Sequence, residues 1–253
     1  MLMEHVLNKD RTWLIAHDDE NMPHDRASTF DALAAKRLTG QPMAYLIGQK
    51  EFLGRMFEVS PSVLIPRPET ELLVDTGLAC LHDRELATVL DLGTGSGIIA
   101  VSVAADRPAW QVKAIDLSQG ALEVARQNAA RHKVKIEFFL GSWYQALPHQ
   151  MKFDLILSNP PYIREGDRHL DQGDLRFEPR GALTDGADGL AAIREIVQGA
   201  PTHLHEAGQL WVEHGYDQAD QVRSIFNQHG FRDIESKKDL SGIIRITGGR
   251  LLS

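Results

Sequence analysis

Residues 88–97, TVLDLGTGSG, decide the fold, because they join a buried strand to a glycine-rich loop. The apolar run predicts the strand, and the glycines permit the tight turn that follows it. Residues 97–106, GIIAVSVAAD, have the apolar composition of a buried helix, and QVKAID at 111–116 predicts a second strand. A strand–helix–strand unit of this kind predicts a parallel sheet that is covered by helices.

The same alternation continues to the end of the chain. Helices are predicted at 118–132, near 188–206 and at 218–230, and further strands at 135–141, 153–158, 208–215 and within 230–248, where two strands follow each other. Since no helix separates the last two strands, we expect them to form an antiparallel hairpin at one sheet edge. The prediction is an α/β, Rossmann-like fold with a mostly parallel seven-stranded sheet.

The region before the sheet has a different pattern. Residues 1–45 carry apolar residues at three- and four-residue spacing, which predicts a small helical domain. Residues 46–66 alternate around Gly54 and predict a β-hairpin linker. The remaining residues, 67–253, form the predicted Rossmann-like domain.

The glycine loop Gly93-Thr94-Gly95-Ser96-Gly97 predicts a ligand site at the carboxyl edge of the sheet. Asp116 ends the next strand about twenty residues later, where an acid can accept the two hydroxyls of a ribose. Asp91 precedes the loop, and a carboxylate there favours a ligand with an ammonium and a sulfonium, such as S-adenosylmethionine. A dinucleotide, or a tight turn without a ligand, stays open as an alternative.

Residues 158–163, SNPPYI, end a buried strand at the same sheet edge. A planar NH₂ group is a poor nucleophile, and two acceptors that hold its N–H groups would aim its lone pair at a methyl group. The Asn159 side-chain oxygen and the Pro160 carbonyl can accept these bonds, which strengthen as positive charge develops on nitrogen. The Tyr162 ring can stack on the planar group. The motif predicts methyl transfer to a planar nitrogen and leaves amide and nucleobase open.

Composition limits the class of partner. The 253 residues carry a net charge of −8, which disfavours direct nucleic-acid binding and favours a protein or small-molecule substrate. A single cysteine, Cys80, allows no internal disulfide, and we interpret it as a core thiol. Without a long apolar run or a visible signal peptide, we expect a cytoplasmic monomer that does not bind a membrane.

Several stretches together resemble the HemK/PrmC family, which methylates the glutamine of the Gly-Gly-Gln motif in class 1 peptide-chain release factors. They are residues 40–71 (GQPMAYLIGQKEFLGRMFEVSPSVLIPRPETE), 89–97 (VLDLGTGSG), 114–122 (AIDLSQGAL), 141–147 (GSWYQAL), 159–163 (NPPYI) and 178–190 (EPRGALTDGADGL). VLIPRPETE is the most specific of these, because adenine methyltransferases that share NPPY lack it. Two alternatives remain: an adenine amino-group methyltransferase acting on DNA or RNA, and a glutamine methyltransferase acting on a ribosomal protein.

The resemblance also implies roles for individual residues. The donor S-adenosylmethionine would be bound by Gly93, Thr94, Gly95, Ser96, Gly97, Asp116, Trp143 and Asn159. The substrate glutamine would be bound by Asn159, Pro160, Pro161, Tyr162 and Ile65. Of these, Asn159, Pro160 and Tyr162 would be catalytic, Glu178 and Pro179 would shape a lid, and no metal is expected.

One departure from the family concerns the N-terminal region. Family members usually begin with a further helix before the segment that matches residues 3–17. We therefore expect residues 1–45, the substrate-recognition domain of the family, to lack their first helix. This difference would weaken recognition of the protein substrate without affecting the chemistry.

Overall fold

A computed structural model describes residues 1–251. Its helices are α1 Leu2–Leu7, α2 Arg11–Ala16, α3 His24–Leu38, α4 Met43–Ile47, α5 Glu71–Cys80, α6 Ile98–Asp106, α7 Gln119–Arg131, α8 Arg180–Leu183, α9 Ala191–His203 and α10 Ala219–Gln228. Its strands are β1 Gln49–Phe52, β2 Arg55–Glu58, β3 Thr88–Leu92, β4 Gln111–Asp116, β5 Ile136–Leu140, β6 Phe153–Ser158, β7 Leu204–Glu213, β8 Phe231–Lys238 and β9 Ile244–Leu251.

The seven strands from β3 onward form one sheet in the order β5-β4-β3-β6-β7-β9-β8. All neighbours are parallel except that β9 runs antiparallel to β7 and β8. The predicted α/β class, strand number and terminal antiparallel hairpin are therefore confirmed. The chain moves from β3 outward to β4 and β5, then returns to β6, so a crevice opens beyond the carboxyl ends of β3 and β6.

Two apolar cores cover the two faces of the sheet. On one face, α5 and α6 pack against the sheet through side chains such as Leu73 and Val101. On the other, α9 and α10 pack through Ile193, Ile196 and Phe226. Because both faces of the sheet are covered, β3 and β6 are buried along almost their whole length and are mainly apolar, without the alternation of a half-exposed strand.

A buried amide is one of several contacts that join the β1–β2 hairpin to the sheet domain. Asn128 on α7 accepts the Glu58 N–H at 2.7 Å and donates to the Glu58 carbonyl at 2.9 Å. Its Nδ2 also donates to the Ser96 carbonyl at 2.8 Å, so the same side chain holds the glycine loop. The Asn128 side chain consequently holds both the hairpin and the glycine loop.

Several predicted boundaries differ from those observed. The helix expected near 188–206 ends at His203, and β7 begins at Leu204, so His205 lies on a strand. The hairpin strands end at Glu58, well before residue 65. The division into domains at residues 45 and 66 stays a prediction. Within residues 1–251, no helix is both long and apolar enough to cross a membrane.

Candidate active site

A cavity of about 360 Å³ opens at the carboxyl edge of β3, β4 and β6. All the residues predicted to bind the donor except Gly97 meet there, together with others that the sequence did not indicate. Its lining includes Leu64, Arg67, Thr70, Gly93, Thr94, Gly95, Ser96, Asp116, Leu117, Trp143, Asn159, Pro161, Pro179 and Ala182. The crevice expected from the strand order is therefore a formed cavity.

The glycine loop needs its glycines for different reasons. Gly93 and Gly95 have φ values of 72° and 56°, and both line the cavity. A Cβ at Gly93 would lie 3.4 Å from the Trp143 ring. Gly97, with φ 83°, does not line the cavity; a Cβ there would lie 3.1 Å from the Cβ of Ala125 on α7. Gly97 therefore permits helix packing, and its predicted donor contact is not supported by the geometry.

Asp91 holds the glycine loop and the start of α6 by hydrogen bonds. Its Oδ2 accepts the Thr94 hydroxyl at 2.6 Å and the Ala100 N–H at 3.1 Å, while Oδ1 has no partner within residues 1–251. The side chain is fully buried and lies outside the cavity lining, so the predicted proximity to a ligand cation is not observed. Burial raises the pKa of Asp91 to about 7, and the neighbouring Asp116 adds to this effect.

Asp116 lies at the end of β4 and faces the cavity. Its Oδ2 accepts the Gly95 N–H and its Oδ1 accepts the Ser118 N–H, both at 2.8 Å. Each carboxylate oxygen can accept more than one hydrogen bond, so acceptor capacity remains for hydroxyl groups of a ligand. Burial raises the pKa of this carboxyl, although the backbone N–H groups oppose the change.

The Trp143-Tyr144 pair separates into two roles. Trp143, at φ 44°, lines the cavity and presents an aromatic wall. Tyr144 turns away, stacks on His203 at 4.8 Å between ring centroids and donates to the Ile196 carbonyl at 2.9 Å. Of the two rings, only that of Trp143 is therefore available to a planar group in the cavity.

A second cavity of about 60 Å³ adjoins the first. Leu64, Arg67, Asn159 and Ala182 line both cavities. The smaller one is completed by Pro160, Tyr162, Ile163, Leu175 and Leu183. Pro161 lines the larger cavity and Pro160 the smaller, so the NPPY turn forms the boundary between the two spaces.

Hydrogen bonds connect two side chains of this turn, Asn159 and Tyr162, to Thr70 and Glu213. The Asn159 Nδ2 donates to the Thr70 hydroxyl at 3.0 Å, and that hydroxyl donates to Glu213 Oε2 at 2.8 Å. The Tyr162 hydroxyl donates to Glu213 Oε1 at 3.1 Å. Burial raises the pKa of Glu213 to about 7 and that of Tyr162 above its ordinary value. Neither Thr70 nor Glu213 was among the predicted site residues, although Thr70 lies in VLIPRPETE and Glu213 ends the predicted strand at 208–215.

The residue that lines the pocket just before PRPETE lies one position from the one that the sequence predicted. Ile65 lines neither cavity; its side chain packs in a small core with Val59 and Val63. Its neighbour Leu64 faces both cavities. Side-chain direction in this irregular loop follows the local turn, which has no fixed period. Leu64 therefore replaces Ile65 as the candidate pocket residue.

Glu178 joins the predicted lid to the same loop. Its Oε2 accepts the Ile65 N–H at 2.9 Å, and its Oε1 pairs with Arg67. Pro179 follows and lines the larger cavity. Within the described part of the chain, no group of three or more histidine, cysteine, aspartate or glutamate side chains is arranged to hold a metal ion.

The larger cavity suits S-adenosylmethionine by its chemistry. A carboxylate with free acceptor capacity, Asp116, matches a ribose, and the flat Trp143 ring matches an adenine. The glycine loop leaves room for close approach of a ligand to the backbone. S-adenosylmethionine has no phosphate and needs no cation to bind one. A ligand that placed its phosphates beside the Asp116 carboxylate would be repelled by it.

This sheet order, with an acid at the end of β4 and the NPPY motif directly after β6, defines a class I methyltransferase. The family model described as "Methyltransferase small domain" matches residues 69–174, and "PrmC N-terminal domain" matches residues 1–48. The chain is 54% identical over 251 residues to "Release factor glutamine methyltransferase" of Bordetella pertussis, covering 99% of this chain and 93% of that protein. The protein of the same name from Neisseria gonorrhoeae is 49% identical over 100% of this chain and 92% of its own length. The chain belongs to the release factor glutamine methyltransferase family, whose methyl donor is S-adenosylmethionine.

Solved structures support the fold at lower identity. A ribosomal protein L11 methylase from Lactobacillus delbrueckii subsp. bulgaricus has a TM-score of 0.55 and 23% identity, covering 73% of this chain and 80% of that chain. A T. thermophilus 16S rRNA methyltransferase, in complex with AdoMet and guanosine, has a TM-score of 0.59 and 18% identity, covering 80% of this chain and 49% of that chain. At these identities, the likeness shows the class I fold alone.

Proposed function

We propose that this protein methylates the side-chain amide nitrogen of the glutamine in the Gly-Gly-Gln motif of class 1 peptide-chain release factors. The observation that carries the proposal is the position of Asn159, which lines both the larger cavity and the smaller one beside it. A donor in the larger space and an NH₂ group in the smaller one would meet at this residue. The near full-length similarity to release factor glutamine methyltransferases supports the choice of substrate.

The smaller cavity suits a neutral amide. Five of its lining residues, Leu64, Ile163, Leu175, Ala182 and Leu183, are aliphatic and disfavour a charged group. The one charged side chain in the lining, Arg67, is already paired with Glu178. The Asn159 Oδ1 and the Pro160 carbonyl are the acceptors that we assign to the two N–H groups of the substrate. The Tyr162 ring forms a wall against the flat amide.

The chain's contribution to the reaction is mainly orientation. When bound, S-adenosylmethionine would supply an electrophilic methyl group, and S-adenosylhomocysteine would leave as the product. Asn159 and Pro160 hold the amide nitrogen so that its lone pair points to the larger cavity, and their bonds strengthen as positive charge develops. The rigid proline backbone keeps the carbonyl in place. The methylated nitrogen then loses a proton to water.

We assign recognition of the protein substrate to residues 1–45 together with the segment before Glu178. These two regions are in contact, because Arg176 donates to the Thr39 carbonyl at 2.7 Å. A surface formed by both would present the release factor to the smaller cavity. Because release factors act in translation, we also propose a cytoplasmic location, and a monomer suffices for a site built from one chain.

The test is a methylation assay with isotope-labelled S-adenosylmethionine. The acceptors are a class 1 release factor, the same factor with its motif glutamine changed to asparagine, a ribosomal protein and double-stranded DNA. We expect label only in the unchanged release factor, and mass spectrometry of its tryptic peptide should locate one methyl group on the glutamine. Label in DNA would favour the adenine alternative, and label in the ribosomal protein would favour the other glutamine methyltransferases.

A further inference from the structure

A chain of hydrogen bonds between buried side chains ends at Asn159 in the active site. It runs from Glu213, at the end of β7, through the Thr70 hydroxyl to the Asn159 amide. Thr70 and Glu213 are 0% and 1% exposed and lie 143 residues apart in the sequence. A second arm joins Glu213 to the Tyr162 hydroxyl. One acceptor would satisfy the buried Thr70 hydroxyl, and Glu213 supplies it. The further bond that Thr70 accepts from Asn159 is therefore more than burial of this hydroxyl requires.

The chain has a fixed direction when Glu213 is ionised. A carboxylate can only accept hydrogen bonds, so the single hydroxyl proton of Thr70 must point towards Glu213. The Thr70 oxygen can then only accept from Asn159, which requires the NH₂ side of that amide to face Thr70. The Asn159 Oδ1 therefore faces the opposite way, towards the cavities where an acceptor is needed. An amide rotated by half a turn would present its own NH₂ to the substrate NH₂, and two donors cannot bond to each other.

We propose that Thr70 and Glu213 are positioning residues that fix the orientation of the Asn159 amide and thereby its ability to accept from the substrate. This inference rests on the proposed function, since it concerns the same NH₂ group. It also gives a physical reason for the threonine in PRPETE and for an acid at the end of β7. Serine could replace Thr70 in this role, because it supplies the same hydroxyl, whereas the isosteric valine could not.

Protonation of Glu213 would allow the chain to reverse. A neutral carboxyl group can donate to Thr70, whose proton can then point to Asn159 and favour the rotated amide. Burial is the largest cause of the raised pKa of Glu213, and the hydrogen bonds from Thr70 and Tyr162 oppose it. Of the charged groups that face Glu213, Glu69 raises this pKa and Arg245 lowers it. With this pKa at about 7, the turnover rate should rise with pH across the neutral range.

The experiment measures kcat and KM for release-factor methylation in T70V, T70S and E213Q, with the donor Kd from calorimetry. We expect T70V to lower kcat by about 10- to 100-fold, T70S to restore it to within about threefold of wild type, and all three to keep the donor Kd within about threefold. The matched control is T247V, which removes a fully buried hydroxyl bonded to His214 and Ser236, away from the cavities. T247V should retain the wild-type kcat.

The pH profile separates positioning from a general loss of packing. Wild type and T70S should share a rise in kcat near neutral pH, whereas E213Q should be slow at every pH and lack this rise. Wild-type kcat in T70V, or equal losses in T70V and T247V, would overturn the positioning role while leaving the proposed function intact. Absence of release-factor methylation by the wild type would overturn both.

Discussion

The buried carboxylate of Glu178 accepts the backbone N–H of Ile65 at 2.9 Å, although the two residues lie 113 positions apart. The same carboxylate pairs with Arg67, whose side chain lines both cavities. One acid thus holds the loop that carries Leu64 and Arg67 to the segment that begins with Pro179. The two segments that form these walls of the site are consequently joined to each other.

The first prediction concerns this contact. Glutamine at position 178 offers one oxygen, so either the Ile65 N–H or the Arg67 guanidinium must face an NH₂ group. We expect E178Q to lower the free energy of unfolding by about 1–3 kcal/mol, the usual effect of leaving a buried donor unpaired. Urea denaturation would measure it. The matched control is E165Q, whose pair with Arg180 at 3.0 Å is exposed to water and should contribute much less to stability. Equal effects in the two variants would contradict the prediction.

Gly97 provides the second prediction, because its role differs from that of the other loop glycines. Alanine there must adopt φ 83° with its Cβ 3.1 Å from the Cβ of Ala125. We expect G97A to reduce the free energy of unfolding by about 1–3 kcal/mol, measured by thermal denaturation. G181A is the control, since a Cβ at Gly181 meets no atom within 4 Å. A fully stable G97A with weakened donor binding would instead restore a direct ligand role for this glycine.

The sheet could be predicted from the sequence because its signals are local. The apolar run at 88–92 and the glycines after it specify a strand and a turn without reference to distant residues. The start of β7 could not be predicted in this way. Leu204 pairs with Phe153 on β6, and this partner extends the strand into a segment that otherwise continues the helical pattern. Long-range pairing therefore decided the boundary that periodicity missed.

The site was predictable in its residue types and less so in its contacts. Asp116 and Asn159 follow parallel strands, and the carboxyl ends of such strands meet at one sheet edge. The bond between Thr70 and Glu213 depends on how α5 and β7 pack, which no spacing reveals. The exchange of Leu64 for Ile65 is an error of one position in a loop without a regular period.

Asp116 provides the third prediction, which tests the ribose interaction. Removing the carboxylate in D116A should weaken binding of S-adenosylmethionine by about 10- to 100-fold, because charge-assisted bonds contribute about 1.5–3 kcal/mol each. Isothermal titration calorimetry would measure the Kd. The control is D154A, which removes an acid that also accepts a backbone N–H, from Thr88 at 2.8 Å, at the far end of β6. An unchanged Kd in D116A would remove the ribose assignment.

The fourth prediction concerns Asn159 itself. Loss of one hydrogen bond that strengthens in the transition state typically costs about 10²–10³ in rate, or roughly 3–4 kcal/mol. We therefore expect N159A to lower kcat for release-factor methylation by this factor and to change the donor Kd much less. The control is N227A, an exposed asparagine at the end of α10. Wild-type turnover in N159A would show that another group orients the substrate.

Asp91 provides the last prediction, which concerns pH and stability. Its pKa is raised by burial from an ordinary 3.8 to about 7, so between these values the native state binds a proton that the unfolded chain releases. The stabilisation is therefore complete at acidic pH and is lost as the pH rises through about 7. Glu213 acts in the same direction, because burial raises its pKa to about 7 as well.

The variant D91N removes this titration while keeping an oxygen that can accept from Thr94 and Ala100. We expect the free energy of unfolding to fall from pH 5 to pH 8 by more in the wild type than in D91N. Any excess in stability of the wild type over D91N at pH 5 should therefore shrink or reverse at pH 8. Urea denaturation at several pH values would measure it, and the subtraction cancels groups common to both proteins. Parallel curves would mean that Asp91 is ionised throughout this range, which its unpartnered, buried Oδ1 makes energetically unfavourable.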